Sequence, residues 1–213
     1  EAIEDNLYDR LASRYTKALA RSMSNAKEVK GAQPLNNGLP GVATFNSGDG
    51  VSLFNTAHTT ISGTNVSNTL TTQADLNETS LEAALIDIAA FTDERGLRIA
   101  AKGVKMIIPS ANQFNAERLM KSQGRPGTAD NDINAINSMG MIPQGYRVNN
   151  FLTDADSWYI ITDVPNGMKM FQRTPLTTSM EGDFDTGNVR YKARERYVFG
   201  VSDYRGIFGC EGA

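Results

Sequence analysis

The chain holds one histidine, His58, and one cysteine, Cys210. A zinc site built on several histidines is therefore excluded by count. His58 lies in a Gly/Asn/Thr-rich stretch beside Thr59 and Thr60 and reads as a loop histidine with no catalytic task. A thiol nucleophile needs a base and a group that orients the base. Cys210 follows Gly209 near the C-terminus, and nothing in the sequence brings His58 to it. A single cysteine also makes no internal disulfide, which fits assembly in a reducing cytoplasm. Asp183, Asp185 and Asn188 resemble a calcium loop only in composition, because the required spacing, central Gly and terminal Glu are missing. Asp130, Asn131 and Asp132 better suit a helix N-terminus. There is no G-x-x-x-x-G-K-[ST] phosphate loop and no G-x-G-x-x-G. The sequons at Asn65 and Asn77 carry no weight without a secretory signal. The expectation is no catalytic residue, no cofactor and no metal.

The charged pattern near the C-terminus is more informative. Two extended runs between Leu176 and Phe199 flank Thr186-Gly187, a plausible tight turn. With those two residues as the loop, Asp185 faces Asn188, Asp183 faces Arg190 and Glu181 faces Lys192. The other face then pairs Phe184 with Val189, Gly182 with Tyr191 and Met180 with Ala193. One register explains both faces, and a slip of one residue would spoil both. The reading is a long antiparallel hairpin with structural charge pairs on one side and an apolar other side. Arg190, Lys192, Arg194 and Arg196 alternate and so share a strand face. They could line a nucleic-acid stripe, but two have acidic partners in the same sheet. Arg194 and Arg196, with Arg125 and Asp130 of the loop 122–132, are candidate subunit contacts.

The elements that would position these groups follow from periodicity. Ile3, Leu7, Leu11, Tyr15, Leu19 and Met23 form one stripe on a first helix of about 28 residues, about 40 Å long, running until Gly31 and Pro34. The stripe is the natural cover for the apolar side of the hairpin. Residues 31–78 read as loop and short strand, too long to be idle in a compact domain. A second helix carries a Thr79/Glu82 capping box, an apolar face of Leu81, Leu85 and Ile88, and a stop at Gly96. A buried strand at 104–108 follows. Next come a helix opened by a Ser110/Gln113 box and ending near Lys121, and a short helix from Ile133 to Met139 closed by Gly140. Strands are expected at 146–152, 157–164 and 168–173. This order indicates an α+β lobe.

Bulk properties agree with a folded, non-basic protein. The chain has 213 residues, 40% hydrophobic and 21% charged, and a net charge of −3, so the whole molecule is no electrostatic trap for nucleic acid. No apolar run approaches the roughly 20 residues of a membrane span. The first residue is Glu1 rather than Met, which points to trimming or to a piece of a longer chain.

Four segments, DGVSLFNTAHT (49–59), DLNETSLEAALIDIAAFTDERG (75–96), AERLMKSQGRPGTADNDINAINSMGM (116–141) and GDFDTGNVRYKARERYVFGVSDYRGIFG (182–209), resemble the major capsid (major head) proteins of tailed bacteriophages. The resemblance implies the α+β Hong Kong 97-like fold: a long spine helix packed on a long antiparallel β-hairpin in a peripheral domain, plus an α+β axial domain. Residues 1–64 and 166–213 would be peripheral and 65–165 axial. The sequence starts at the spine helix, so the N-terminal arm and extended loop that normally precede it in that family are expected to have been removed or to be disordered and omitted.

The function so implied is a structural subunit, not an enzyme, of an icosahedral phage head. It would self-assemble into pentamers and hexamers around double-stranded DNA that it touches only indirectly. Scaffold and portal proteins are further expected partners, with no membrane partner. The location would be the virion capsid, assembled in the bacterial host cytoplasm. The alternatives are an encapsulin-like compartment shell, a small hydrolase using His58 and an acidic partner, and a nucleic-acid-binding module.

Overall fold

The computed structural model describes residues 8–39, 45–125, 132–182, 187 and 189–213. In chain order the elements are α1 (Tyr8–Asn36), β1 (His58–Thr59), β2 (Asn65–Val66), α2 (Glu78–Ala89), β3 (Gly103–Ile108), α3 (Gln113–Lys121), α4 (Ala135–Met139), β4 (Tyr146–Val148), β5 (Trp158–Thr162), β6 (Met168–Gly182), β7 (Val189–Val201) and β8 (Ile207–Cys210). No helix among the described residues is long and apolar enough to cross a membrane.

The chain divides into two compact units. One takes the chain up to Gly31 together with Met170–Gly200, and the other Ala32–Lys169 with Val201–Ala213. The expected peripheral segments 32–64 and 201–213 thus belong to the same compact unit as the middle of the chain, because their apolar residues join its core.

The smaller unit is a helix on a hairpin. β6 and β7 form a two-stranded sheet. Strand alternation sorts β7 cleanly: Tyr191, Ala193, Glu195, Tyr197 and Phe199 are half-buried, whereas Arg190, Lys192, Arg194 and Arg196 are exposed. The helix lies on the half-buried side. Lys27 Nζ is 2.5 Å from Glu195 Oε1 and 5.3 Å from the centre of the Tyr197 ring. The Phe199 ring packs against Gly31, where a Cβ would meet Phe199 Cζ at 3.4 Å, an ordinary packing distance. Towards the other end, a gap of about 310 Å³ separates Leu19 and Ala20 from Leu176, Met180, Tyr191 and Ala193. The helix lies on that side as periodicity expects, but Tyr15 of its stripe and Met180 and Val189 of the expected apolar side are exposed, so the cover is partial.

Ile3 and Leu7 of the helical stripe lie outside the described residues, as do Asp183, Phe184, Asp185, Thr186 and Asn188 of the hairpin and Asp130 and Asn131 of the loop. The separate strand expected at 168–173 is instead the start of one 15-residue strand, β6, which contains Pro175. A two-stranded sheet has free edges, where a missing N–H costs no ladder bond.

The larger unit carries the core. Its sheet has the order β4-β3-β5-β8, with β3 and β4 parallel and the other pairs antiparallel. β5 is central, and Trp158, Tyr159 and Ile160 are fully buried on it. Leu81, Ala84, Leu85 and Ile88 of α2 and Ala116 and Leu119 of α3 are buried in the same cluster. The apolar island Val51–Phe54 delivers Leu53 and Phe54 into it. Gly209 permits that approach, since a Cβ there would fall 2.6 Å from Phe54.

α1 does not stop at Gly31 or Pro34 but continues to Asn36. Proline removes a helical hydrogen bond. The last turn nevertheless buries Ala32 and Leu35, and Tyr159 donates from its hydroxyl to the Leu35 carbonyl at 3.2 Å, capping an otherwise orphaned acceptor. Tertiary burial outweighs local propensity there. The capping box of α2 sits two residues earlier than expected: the Asn77 side chain accepts from Ser80 N, and Ser80 Oγ accepts from Asn77 N. α2 ends at Ala89, so Gly96 serves a later turn at φ 86° and not a helix stop. Ser110 begins a 3-10 turn ahead of α3 without a side-chain cap. α4 starts at Ala135, capped by Asn134, and Gly140 ends it in the left-handed conformation as expected.

Candidate assembly surfaces and a buried polar cluster

Two places could carry function: the exposed faces and a sealed polar cluster. The cluster forms where the Gly/Asn-rich stretch meets the C-terminal segment. Asn68 is fully buried at its centre. Its Nδ2 donates to the carbonyls of Leu53, Tyr204 and Ile207 at 2.8, 3.2 and 3.3 Å. Its Oδ1 accepts from Asn55 N at 2.9 Å and faces His58 Nε2 at 3.1 Å. His58 is also fully buried, with Nδ1 2.5 Å from Asp49 Oδ2. Its ring stacks on Tyr204 at 3.9 Å with a 6° interplanar angle.

Burial works to raise the Asp49 carboxyl, but the hydrogen bond and charge of His58, with the Val51 N–H, outweigh it and hold Asp49 below the usual carboxylate range. Beside this cluster, Arg205 is buried. It donates from Nε to Thr92 O at 2.7 Å and pairs with Glu94 at 2.8 Å and Asp203 at 3.4 Å.

His58 is thus not a loop histidine but a buried one with an acidic partner. The sequence signal was available: Asp49, Asn55, His58 and Asn68 are close in the chain, yet a polar tract reads as solvated loop. A general base must reach its substrate. This ring has both nitrogens engaged and one face covered, so it ties the fold and is itself closed to solvent, with only the partner Asp49 partly exposed. Cys210 is sealed in β8, with Sγ 3.2 Å from Ala74 O, and burial pushes its thiol up. A neutral thiol is a poor nucleophile. Among the described residues no group of His, Cys, Asp and Glu could hold a metal ion.

The surface residues singled out from the sequence are dispersed. Arg194 and Arg196 lie exposed on β7 with Arg190 and Lys192. Glu181, on β6, and Lys192 occupy paired strands, and among the described residues they form no ion pair with each other. Arg125 is held within its own chain, Nε to Glu78 Oε2 at 2.7 Å, with its N–H donating to Asp132 O. The larger finding is apolar. Met170, Phe171, Leu176, Met180, Val189 and Val198 of the hairpin are exposed, Phe171 at 56% and Val198 at 59%. Strand neighbours Met170 and Phe171 point to opposite faces, as do Val189 and Val198, so these side chains are spread over both sides of the hairpin.

A helix-on-hairpin unit and a mixed-sheet core in one chain define a class. The fold is Hong Kong 97-like, as in the capsid of Myoviridae phage XM1 (TM-score 0.54, 16% identity, covering 100% of this chain and 69% of that one). It is likewise similar to the capsid of an empty GTA particle (0.51, 15%, 98% and 69%). A phage-related protein from Bordetella bronchiseptica RB50 also matches (0.51, 11%, 94% and 64%). The chain belongs to the phage capsid protein family, whose model matches residues 1–209. No curated protein matches it in sequence. The chain spans 58–64% of the length of three of the solved chains it resembles.

Proposed function

We propose that this chain is a structural subunit of a phage head, located in the virion capsid and assembled in the host cytoplasm. Copies join through the helix-and-hairpin unit and neighbouring faces into pentamers and hexamers, closing a shell around double-stranded DNA. In this reading the helix-and-hairpin unit is peripheral, and α2–α4 with the loop around Arg125 are axial. Scaffold and portal proteins are the further partners. The Arg194–Arg196 face of β7 meets a neighbouring subunit. No catalytic step is assigned.

The observation that carries this reading is the absence of any buried apolar side chain among the described residues of the helix-and-hairpin unit. A long sheet face left open is worth little alone and much when many copies cover it, since apolar burial contributes about 25 cal/mol per Å². The test is electron microscopy of the full-length protein after expression. Rings or closed shells are expected, and a strictly monomeric protein at high concentration would overturn the reading.

A further inference from the structure

We infer that the face of the hairpin turned away from the helix is a cationic docking surface for a second copy of this chain, which meets it through the carboxylates of Asp75, Asp154, Asp156 and Glu211. The contact presupposes the reading of the chain as a self-assembling subunit and gives one of its interfaces a chemistry.

The face is fixed by the contacts behind it. Glu195 pairs with Lys27 of the helix, and Gln172 Nε2 donates to the same Glu195 carboxylate at 3.1 Å. Gln172 and Glu195 thus point towards the helix, and strand alternation turns Arg173, Lys192, Arg194 and Arg196 the other way. All four are exposed, and none forms an ion pair among the described residues. Glu181 is the single described carboxylate on that side. Alternate strand residues stand about 7 Å apart, inside the screening length of about 8 Å at physiological salt. The row Lys192, Arg194 and Arg196 therefore repels itself and favours a counter-charge from outside. Phe171 and Val198 are exposed on the same side. Arginine interleaved with aromatic and apolar side chains suits a protein partner. The chain's net charge of −3 disfavours nucleic acid.

Such a face cannot pair with itself across a two-fold axis, because like would meet like. The contact is heterologous: one patch on one copy, a different patch on the next, the kind that closes into rings. The second patch must be acidic, and the larger unit supplies it. The helix-and-hairpin unit holds 11 Lys and Arg against 9 Asp and Glu, and the larger unit 10 against 15. In the larger unit, Glu78, Glu94, Glu117 and Asp203 already pair with cations of their own chain. Asp75, Asp154, Asp156 and Glu211 have no cation partner among the described residues, and they border one strip. Asp156 N donates to Asp154 Oδ1, Asp156 lies against Gly212, and Asp75 Oδ1 accepts from Ala213 N.

The test is zero-length coupling of the full-length protein. A carbodiimide activates a carboxylate, a lysine amine attacks it, an amide forms and a urea leaves. Lys192 is the lysine of this face, so mass spectrometry reads its partner. In a mixture of nitrogen-15 and unlabelled copies, Lys192 of one isotope is expected on Asp75, Asp154, Asp156 or Glu211 of the other. The yield should fall about tenfold between about 0.1 M and about 1 M salt, as the screening length shrinks from about 10 Å to about 3 Å. Arg194→Glu with Arg196→Glu should slow assembly in light scattering by about tenfold or more, and adding Asp154→Lys with Asp156→Lys should restore it. Shells that form without mixed-isotope Lys192 links, or a charge reversal that leaves assembly intact, overturn this contact while the subunit reading stands. A strictly monomeric chain overturns both. Tight binding of a short DNA duplex that the charge reversal removes, with no mixed-isotope link, makes the face a nucleic-acid site and overturns the contact as well. Should the reversed variant fail to fold, the links in the unmodified protein decide.

Discussion

The two compact units solve opposite problems with the same kinds of residue. In the larger one, Trp158, Ile160, Phe54 and Phe208 are sealed and its central polar groups are matched donor to acceptor around Asn68. In the smaller one, long aliphatic and aromatic side chains of β6 and β7 stay in solvent, and the described contacts to the helix are a few: Lys27 with Glu195, Lys27 over Tyr197, and Gly31 under Phe199. One unit is stabilised from within. The other leaves apolar side chains in solvent.

The contrast is sharpest in what truncation should cost. Ile160→Ala opens a cavity in the middle of the sheet and should cost about 2–5 kcal/mol, lowering Tm by roughly 10 °C in calorimetry. A near-silent result would mean that the larger unit is not the source of stability. Asn68→Ala should cost about 3 kcal/mol in chemical denaturation, because His58, the Asn55 N–H and three carbonyls lose their shared partner at once. A cost below about 1 kcal/mol would show that water replaces the amide freely. Phe171→Ser with Val198→Ser should change the stability of the isolated chain by no more than about 0.5 kcal/mol, while assembly followed by light scattering slows or stops. Lost stability with intact assembly would reverse the comparison.

The helix-and-hairpin unit was the more legible of the two in the sequence. Its elements are long and its alternation regular, so faces can be sorted by eye: Arg190, Lys192, Arg194 and Arg196 one way, Tyr191, Ala193, Tyr197 and Phe199 the other. The core was harder to read, since it is assembled from short pieces distant in the chain. β8 is four residues ending in Cys210, too short to carry a period, and it lies between Trp158 partners and Ala74. Pro34 misled because propensity is local while the burial of Leu35 is not. The cluster around His58 was missed for a similar reason. Asn, Asp and Thr mark loops when solvated, and only the fold shows that Asn68 replaces water for five backbone and side-chain groups. The resemblance to capsid proteins supplied the architecture that these fragments could not.

The sealing of Cys210 has a practical outcome. As the one thiol in the chain, buried and protonated, it should ignore maleimides and other alkylating dyes under native conditions. A cysteine introduced on the exposed hairpin, at Thr178 for instance, would then be a unique attachment point. Spin labels or fluorophores placed there could follow neighbouring copies as they meet, without first removing the native sulfur.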